Sequence, residues 1–563
     1  MRNNYWLRAT RSPLSRRRML QGTAGLGVGA GALAVVGCGN DDDDDVAPPP
    51  DDDDVDPTPT PDPGDIQRGG TIRWAWTADA DHVDFVHDTA WTMVVAPHIY
   101  SGLLRWSADV TEVLPDLAES LPEAADEGLT YTFRLRENAR WSDGSEVTSA
   151  DVAYTYNRFA DPDEASPHQY KAGPLAGIDT PDDHTVVFRL ERPFVPFVSF
   201  AGTGWMMIMP EGWADEHGRR FQQAMGSGPY TIEERNPDVA TRFGSNPHYY
   251  DSDRPYVDGM DLQIIPDAST IDAALIAGEL DVNPGLTDQG RVDSILGATQ
   301  NLNTIEFPSL HWNFMIMNCE EGRLPFSDPR VRRAMNLLID RELYQVIVHS
   351  TGGQASGPVT WGFERYAIPQ EDLLSRPGYR PDKDEDIQEA MDLLNAAGLG
   401  DGFSFDMATT TPAAHATYNA GALAVQDQLA QYNIEAVLGV TDMAGIQEKR
   451  AEGNYDAMVY VNGGSQEIDE YLYGPHYTGQ ARNVNRYSNP DLDEMLDRQR
   501  EILDDEERTQ LIMEIQEVLL EELPSVWLAD PVYVAIVNER VRGYQPYRAW
   551  DRRSEFYNAF IEA

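Results

Sequence analysis

The stretch Phe133-Arg134-Leu135-Arg136-Glu137-Asn138-Ala139-Arg140-Trp141-Ser142-Asp143-Gly144-Ser145, continued by Glu146 and Val147-Thr148-Ser149-Ala150-Asp151-Val152, holds three structural signals in a row. Tyr131, Phe133 and Leu135 alternate with polar residues, which is the period of a half-buried strand. Ser142 to Ser145 is turn chemistry. Thr148 then stands three residues before Asp151 as a helix start, and Val152, Tyr156 and Phe159 share one helical face. Downstream, Pro181-Asp182-Asp183 separates Ile178 from a second alternating strand at Val186, Phe188 and Leu190.

Similar signals continue outward in both directions. Thr71–Trp76 alternates with Ile72, Trp74 and Trp76 on one face and reads as a strand. Gly226-Ser227-Gly228-Pro229 is a loop before a strand at Tyr230–Glu233, and Thr270–Gly278 is a helix ended by a glycine. Asp328-Pro329 opens a helix whose Val331, Met335 and Leu338 face inward. Further helices are marked by Ile387, Met391 and Leu394, by Val425, Leu429 and Tyr432, and by Leu511, Ile515 and Val518. Strands are expected at Ile434–Val440, Val526–Leu528 and Val532–Val537. Helices and strands alternate through the chain without an internal repeat, so the fold class is α/β.

At 563 residues the chain is too long for one compact core, and two or more lobes are expected. A hydrophobic fraction of 41% excludes a wholly disordered chain. The net charge of −51, with Lys171, Lys383 and Lys449 the only lysines, argues against a nucleic-acid partner, which needs clustered cations. Two cysteines exclude a disulfide scaffold, a zinc ribbon or an iron–sulfur site built by this chain alone. Cys319, beside Phe314 to Met317, reads as a buried, inert thiol.

Residues 1–37 contain six arginines and no acid, and an uncharged Gly/Ala/Val/Leu stretch follows Arg16-Arg17-Arg18-Met19-Leu20. This resembles a twin-arginine export signal, and Val35-Val36-Gly37-Cys38 resembles a bacterial-type lipobox with Cys38 as the lipidated residue. Loss of 1–37 removes six positive charges and takes the net charge to −57. Residues 38–67, with Asp41–Asp45, Asp51–Asp54 and many prolines, read as an acidic tether. At ~3.1 Å per residue it could reach roughly 90 Å.

The chain carries no Walker loop, His-Glu-x-x-His, Gly-x-Ser-x-Gly or Cys-x-x-Cys motif, and no His pair at metal-ligand helical spacing. Binding, not catalysis, is the expected activity; no enzyme, cofactor or metal is expected.

The segment quoted first closely resembles the hallmark of the family 5 extracellular solute-binding proteins, the oligopeptide-, dipeptide- and nickel-binding components of ABC importers. More of the pattern lies in order along the chain. Tyr100 to Leu104 precedes it; Gly226 to Tyr230, Asn246 to Tyr250, Ala277 to Val282, Asn313 to Asn318, Phe326 to Ala334 and Tyr487 to Asp493 follow. The resemblance covers about residues 68–548. It implies a two-lobed periplasmic-binding-protein fold (Venus-flytrap, type II) with an extra inserted domain. Lobe I is expected at 68–110, 226–305 and 532–563, the inserted domain at 111–225 and lobe II at 306–531.

The resemblance also frames the ligand. Peptide-binding members anchor the ligand's ammonium on the Asp of a Gly-Trp-x-x-Asp motif that follows a Tyr-Asp strand, here Tyr455-Asp456. The matching stretch is Val461-Asn462-Gly463-Gly464-Ser465, with Ser465 read at the place of the acid and Glu467 or Asp469 as substitutes. Dipeptide binders hold the carboxylate with an Arg in the segment that here reads His415 to Asn419, and Ala416 takes its place. Trp361, Trp312, Trp91 and His415 are the remaining candidates for the ligand wall. The resemblance implies capture of a peptide-like solute in the interlobe cleft and delivery to an ABC permease with its ATPase complex, by an exported monomer held on the outer face of the cytoplasmic membrane, periplasmic or extracellular, through Cys38. The alternatives are another polar solute, such as a sugar oligomer or metal chelate, or a sensory receptor on the same fold.

Overall fold

A computed structural model describes residues 66–87, 92–412 and 415–562. The export signal, Cys38, nearly all of the tether and Trp91 lie outside the described residues.

The strand Thr130–Arg134 pairs antiparallel with Thr185–Leu190, placing Phe133 opposite Val186 and Tyr131 opposite Phe188. Leu175–Asp182 and Glu123–Ala125 complete a four-stranded sheet. The helix Ser149–Ala160 packs on it through Val152, Tyr156 and Phe159, all fully buried. Tyr156 meets Phe188 edge-on at 4.7 Å, the geometry that aromatic quadrupoles favour. The Asp151 carboxylate accepts the Thr148 N–H at 2.7 Å and so ties down the helix start. This sheet and helix form the inserted domain.

The main sheet of lobe I has the order Leu302–Pro308, Ala529–Asn538, Val282–Leu286, Thr71–Trp76, Gly259–Ile264, Ala240–Ser245, Tyr230–Asn236. Thr71–Trp76 runs parallel to both neighbours at its centre. Ile72 and Trp74 are fully buried, whereas Trp76, at the carboxyl end, is half-buried. The loop before Tyr230 needs its glycines. A Cβ on Gly226 would sit 2.0 Å from the Ile99 carbonyl oxygen, and the Gly228 N–H donates to that same oxygen at 2.7 Å.

Lobe II is built on the sheet Ile434–Thr441, Phe403–Thr410, Ala457–Asn462, Trp312–Met317, Ser525–Trp527. Its first three strands run parallel and the last two antiparallel to their neighbours. Helices Pro329–Leu338, Asp384–Ala396, Ala416–Ala430 and Asp505–Glu522 surround it. Cys319 is half-buried, its Sγ–H donating to the Met317 carbonyl at 3.3 Å, and burial pushes its thiol up to about 12, which keeps it unreactive.

The chain leaves the lobe I sheet for the lobe II sheet at residues 309–311 and returns at Leu528, and in between Gly353–Ala355 pairs with Ala529 to Pro531 as an eighth strand of the first sheet. The expected limits at 305/306 and 531/532 therefore fall inside strands of lobe I, Leu302–Pro308 and Ala529–Asn538. The hairpin of Leu104–Trp106 with Val113–Pro115 likewise straddles the expected 110/111 limit. A sheet edge is set by pairing with distant strands, and local periodicity carries no mark of it.

Candidate ligand-binding site between the lobes

In sheets with parallel strands, ligands bind beyond the carboxyl ends of those strands. From lobe I, the strand Thr71–Trp76 ends at Trp76. From lobe II, Phe403–Thr410 leads to His415, and Ala457–Asn462 leads to Gly463. Around these ends His311 lies 5.2 Å from Tyr533 and 5.7 Å from Trp550, and Trp550 lies 6.0 Å from Trp76, centroid to centroid. The Arg552 Cζ stands 4.5 Å from the centroid of the Trp76 ring. The Gly463 loop of lobe II runs against Trp550, since a Cβ there would be 3.1 Å from that side chain. The Trp550 N–H donates to the Gly464 carbonyl at 3.0 Å. Trp76, His311, Tyr533, Trp550 and Arg552 are all half-buried, as are Trp361, His415 and Asn462.

The walls are mostly uncharged at neutral pH. Burial, helped by the charges of Arg552 and His415, pushes His311 down to about 3. Burial alone pushes His415 down to about 4. Among the described residues of this group, Arg552 carries a charge and is paired with the buried Glu555 carboxylate at 3.0 Å.

The sequence candidates divide between wall and core. His415 caps the helix Ala416–Ala430, accepting the Tyr418 N–H at 3.4 Å while its ring stacks on Tyr418 at 3.9 Å. Asn462 ends its strand opposite Trp312. Trp361 donates from Nε1 to the Asp530 carbonyl at 3.0 Å. Trp312 is not a wall residue: it is 1% exposed, donates to the Gly357 carbonyl at 3.2 Å and packs on Phe314 at 4.3 Å. Ser465 is buried, its N–H donating to the Tyr471 hydroxyl at 3.2 Å. Counted along the chain, Glu467 and not Ser465 stands four residues past Gly463. Its carboxylate is buried and accepts from Arg508 at 2.8 Å. Asp469 is paired with Arg500 at 2.8 Å. Both acids are thus committed to arginines of lobe II.

Sequence reasoning missed His311, Tyr533, Trp550 and Arg552 as wall residues. The end of an alternating strand at Trp76 was a usable signal; nothing local marked the other four.

Away from this group, a second contact joins the inserted domain to lobe II. Glu470 accepts from the Tyr170 hydroxyl, from Lys171 Nζ and from Arg482. Arg482 also donates to the Tyr170 oxygen at 2.8 Å. Lys171 is 1% exposed and Glu470 6%. Burial opposes the charge on Glu470, but Arg482 and Lys171 outweigh it and hold the carboxyl far below its ordinary range. Beside it the Val195 N–H donates to the Arg500 carbonyl at 2.8 Å, and the Arg500 guanidinium lies 4.6 Å from the Phe194 ring centroid. These contacts hold the two bodies together in a closed arrangement.

Asp530 lies just past the return to lobe I at Leu528 and is fully buried. Its Oδ1 accepts the Asn313 N–H at 2.7 Å and the Asn313 amide at 3.1 Å. Burial pushes its carboxyl up to about 6, against the hydrogen bonds of Ser356, Thr360 and Asn313. The folded state therefore holds a proton here that the unfolded chain has released above about pH 4. Stability from this group should fall as pH rises from about 4 to 6, by about 3 kcal/mol in all. Asp530→Asn should remove that downward slope, as measured by urea unfolding at pH steps across the window; an unchanged slope would refute the assignment.

A family model described as bacterial extracellular solute-binding proteins, family 5 (middle), matches residues 112–483. The dipeptide-binding protein of Escherichia coli K12 is 23% identical over 481 residues, covering 79% of this chain and 86% of the relative. The glutathione-binding protein GsiB of Salmonella typhimurium is 26% identical over 467 residues, covering 80% and 87%. Among solved structures, the periplasmic binding protein DppA of Helicobacter pylori, in complex with the peptide STSA, superposes with a TM-score of 0.77 at 23% identity, over 88% of this chain and 99% of that one.

Proposed function

The chain belongs to the bacterial extracellular solute-binding proteins of family 5, and from that premise we propose that it is the exported solute receptor of an ABC importer, closing its lobes on a peptide-like solute and presenting it to the permease and ATPase. The observation that supports this reading is the set of half-buried aromatic and polar side chains gathered from both lobes at the carboxyl ends of their strands. A ligand that touches both lobes favours the closed state over the open one, and that difference drives closure. Relatives named for dipeptide and glutathione binding support a small peptide as cargo.

Thermal unfolding of the full chain with a random pool of two- to five-residue peptides tests this reading. At a hundred times the dissociation constant a ligand stabilises by ~2.7 kcal/mol, a clear rise in Tm. No rise would turn the search to other solutes.

The receptor acts as a monomer anchored to the membrane through a lipid on Cys38, with residues 38–67 as its tether. The motif at Val35 to Cys38 and the acidic, Pro-rich run after it support this. Cys38→Ser should move the exported protein from the membrane fraction to the soluble one, as read by fractionation and blotting. Retention on the membrane would refute the anchor.

A further inference from the structure

Resting on the reading of a solute receptor, we propose that Arg552 is the ligand's anchor and that the solute carries a carboxylate. Arg552 Nη1 donates to both oxygens of Glu555, at 3.1 and 3.0 Å. Glu555 is 1% exposed and also accepts from the Tyr544 hydroxyl, so it is a fixed post that orients the guanidinium. Among the described residues, Nε and Nη2 make no hydrogen bond. These two N–H groups point side by side from one edge of the planar group, the geometry that a carboxylate accepts with both oxygens.

The surroundings hold that edge in place. The Trp76 ring covers one face of the guanidinium at 4.5 Å. Arg552 has a φ of 47°, a left-handed conformation that costs a non-glycine residue energy and that persists where a site needs a particular direction. Trp550, two residues earlier, carries the contact to the Gly463 loop of lobe II. A ligand held by its carboxylate on Arg552 therefore has its body directed along Trp550 to the other lobe. The Glu555 carboxylate already pairs with Arg552 at 3.0 Å, so selection of the ligand falls on the two parallel N–H groups of the open edge. The acids nearest in spacing to an ammonium anchor, Glu467 and Asp469, are already bound to Arg508 and Arg500. Recognition thus falls on the acid end of the solute.

The test compares paired probes on the full chain by thermal unfolding. One pair is an N-acetylated peptide pool with free carboxylates and the same pool amidated at the C-terminus. The other is benzoate and benzamide. The carboxylate member of each pair should raise Tm in the parent protein and its amide should not. Arg552→Gln should abolish the preference, weakening carboxylate binding roughly 10- to 100-fold. Arg552→Lys keeps the charge without the fork and should retain part of it. Equal responses to acid and amide, a preference that survives Arg552→Gln, or no response to any probe would each overturn the anchor. A preference for benzoate with no response to either peptide pool would support the anchor and overturn the peptide reading alone.

Discussion

Glu470→Gln should leave the lobes apart in most molecules of ligand-free protein. In the closed arrangement Glu470 is the shared acceptor of Tyr170, Lys171 and Arg482. Its neutral amide would leave two cations facing each other in a buried contact, and Lys171 has almost no water to turn to. Breaking a buried pair by removing one partner costs about 3–5 kcal/mol. Opening the cleft returns both cations to water, so the penalty falls on closure and not on folding. The closed-to-open ratio should drop roughly 150- to 5,000-fold. Small-angle scattering should show a larger radius of gyration than for the parent protein, while Tm without ligand changes little. Apparent ligand affinity should fall in proportion to the lost closed fraction. The double variant Glu470→Gln, Lys171→Met removes the stranded cation and should recover part of the closed population. An unchanged radius of gyration in the single variant would show that the contact does not govern closure.

Glu467→Ala should destabilise the fold by about 3–5 kcal/mol without changing any preference for peptides with a free amine. Glu467 occupies the place of the ammonium-binding acid by spacing, yet it and Arg508 are both almost fully buried and bonded to each other at 2.8 Å. Alone, Arg508 would be a buried charge held only by the carbonyl and side chain of Gln499. Arg508→Leu added to Glu467→Ala should restore part of the stability, because the stranded charge is gone. Urea unfolding reads the first effect; Tm shifts with free and N-acetylated peptide pools read the second. A selective loss of response to free-amine peptides, with stability intact, would make Glu467 a ligand residue after all.

Local structure was legible where neighbours in sequence are neighbours in space. The alternation through Tyr131, Phe133 and Leu135 is a strand, the Thr148–Asp151 contact is a helix start, and Asp328 caps the helix Pro329–Leu338 through the Arg330 N–H. Trp312 shows where such reasoning fails. A tryptophan at a strand start suits a cleft wall and a core equally, and the choice was made by Tyr471 and His476, more than 150 residues away. The lobe limits were displaced for the same reason, since Leu302–Pro308 belongs to lobe I only through its register with Val532 to Asn538.

By itself the sequence determined the α/β class, the ordered motifs of the family and the strand, turn and cap positions, because period and capping chemistry act over a few residues. Only the tertiary structure decided what each charged group is paired with and which of its edges stay open. Glu467 and Asp469 look available in sequence but are neutralised by Arg508 and Arg500. Arg552 looks like one of many surface arginines, yet the fold sets it on Trp76, a residue at the other end of the chain. Tyr170 and Glu470 meet across 300 positions. The worth of a charge depends on what surrounds it, and in a chain of this length those surroundings are assembled from segments that no local pattern connects.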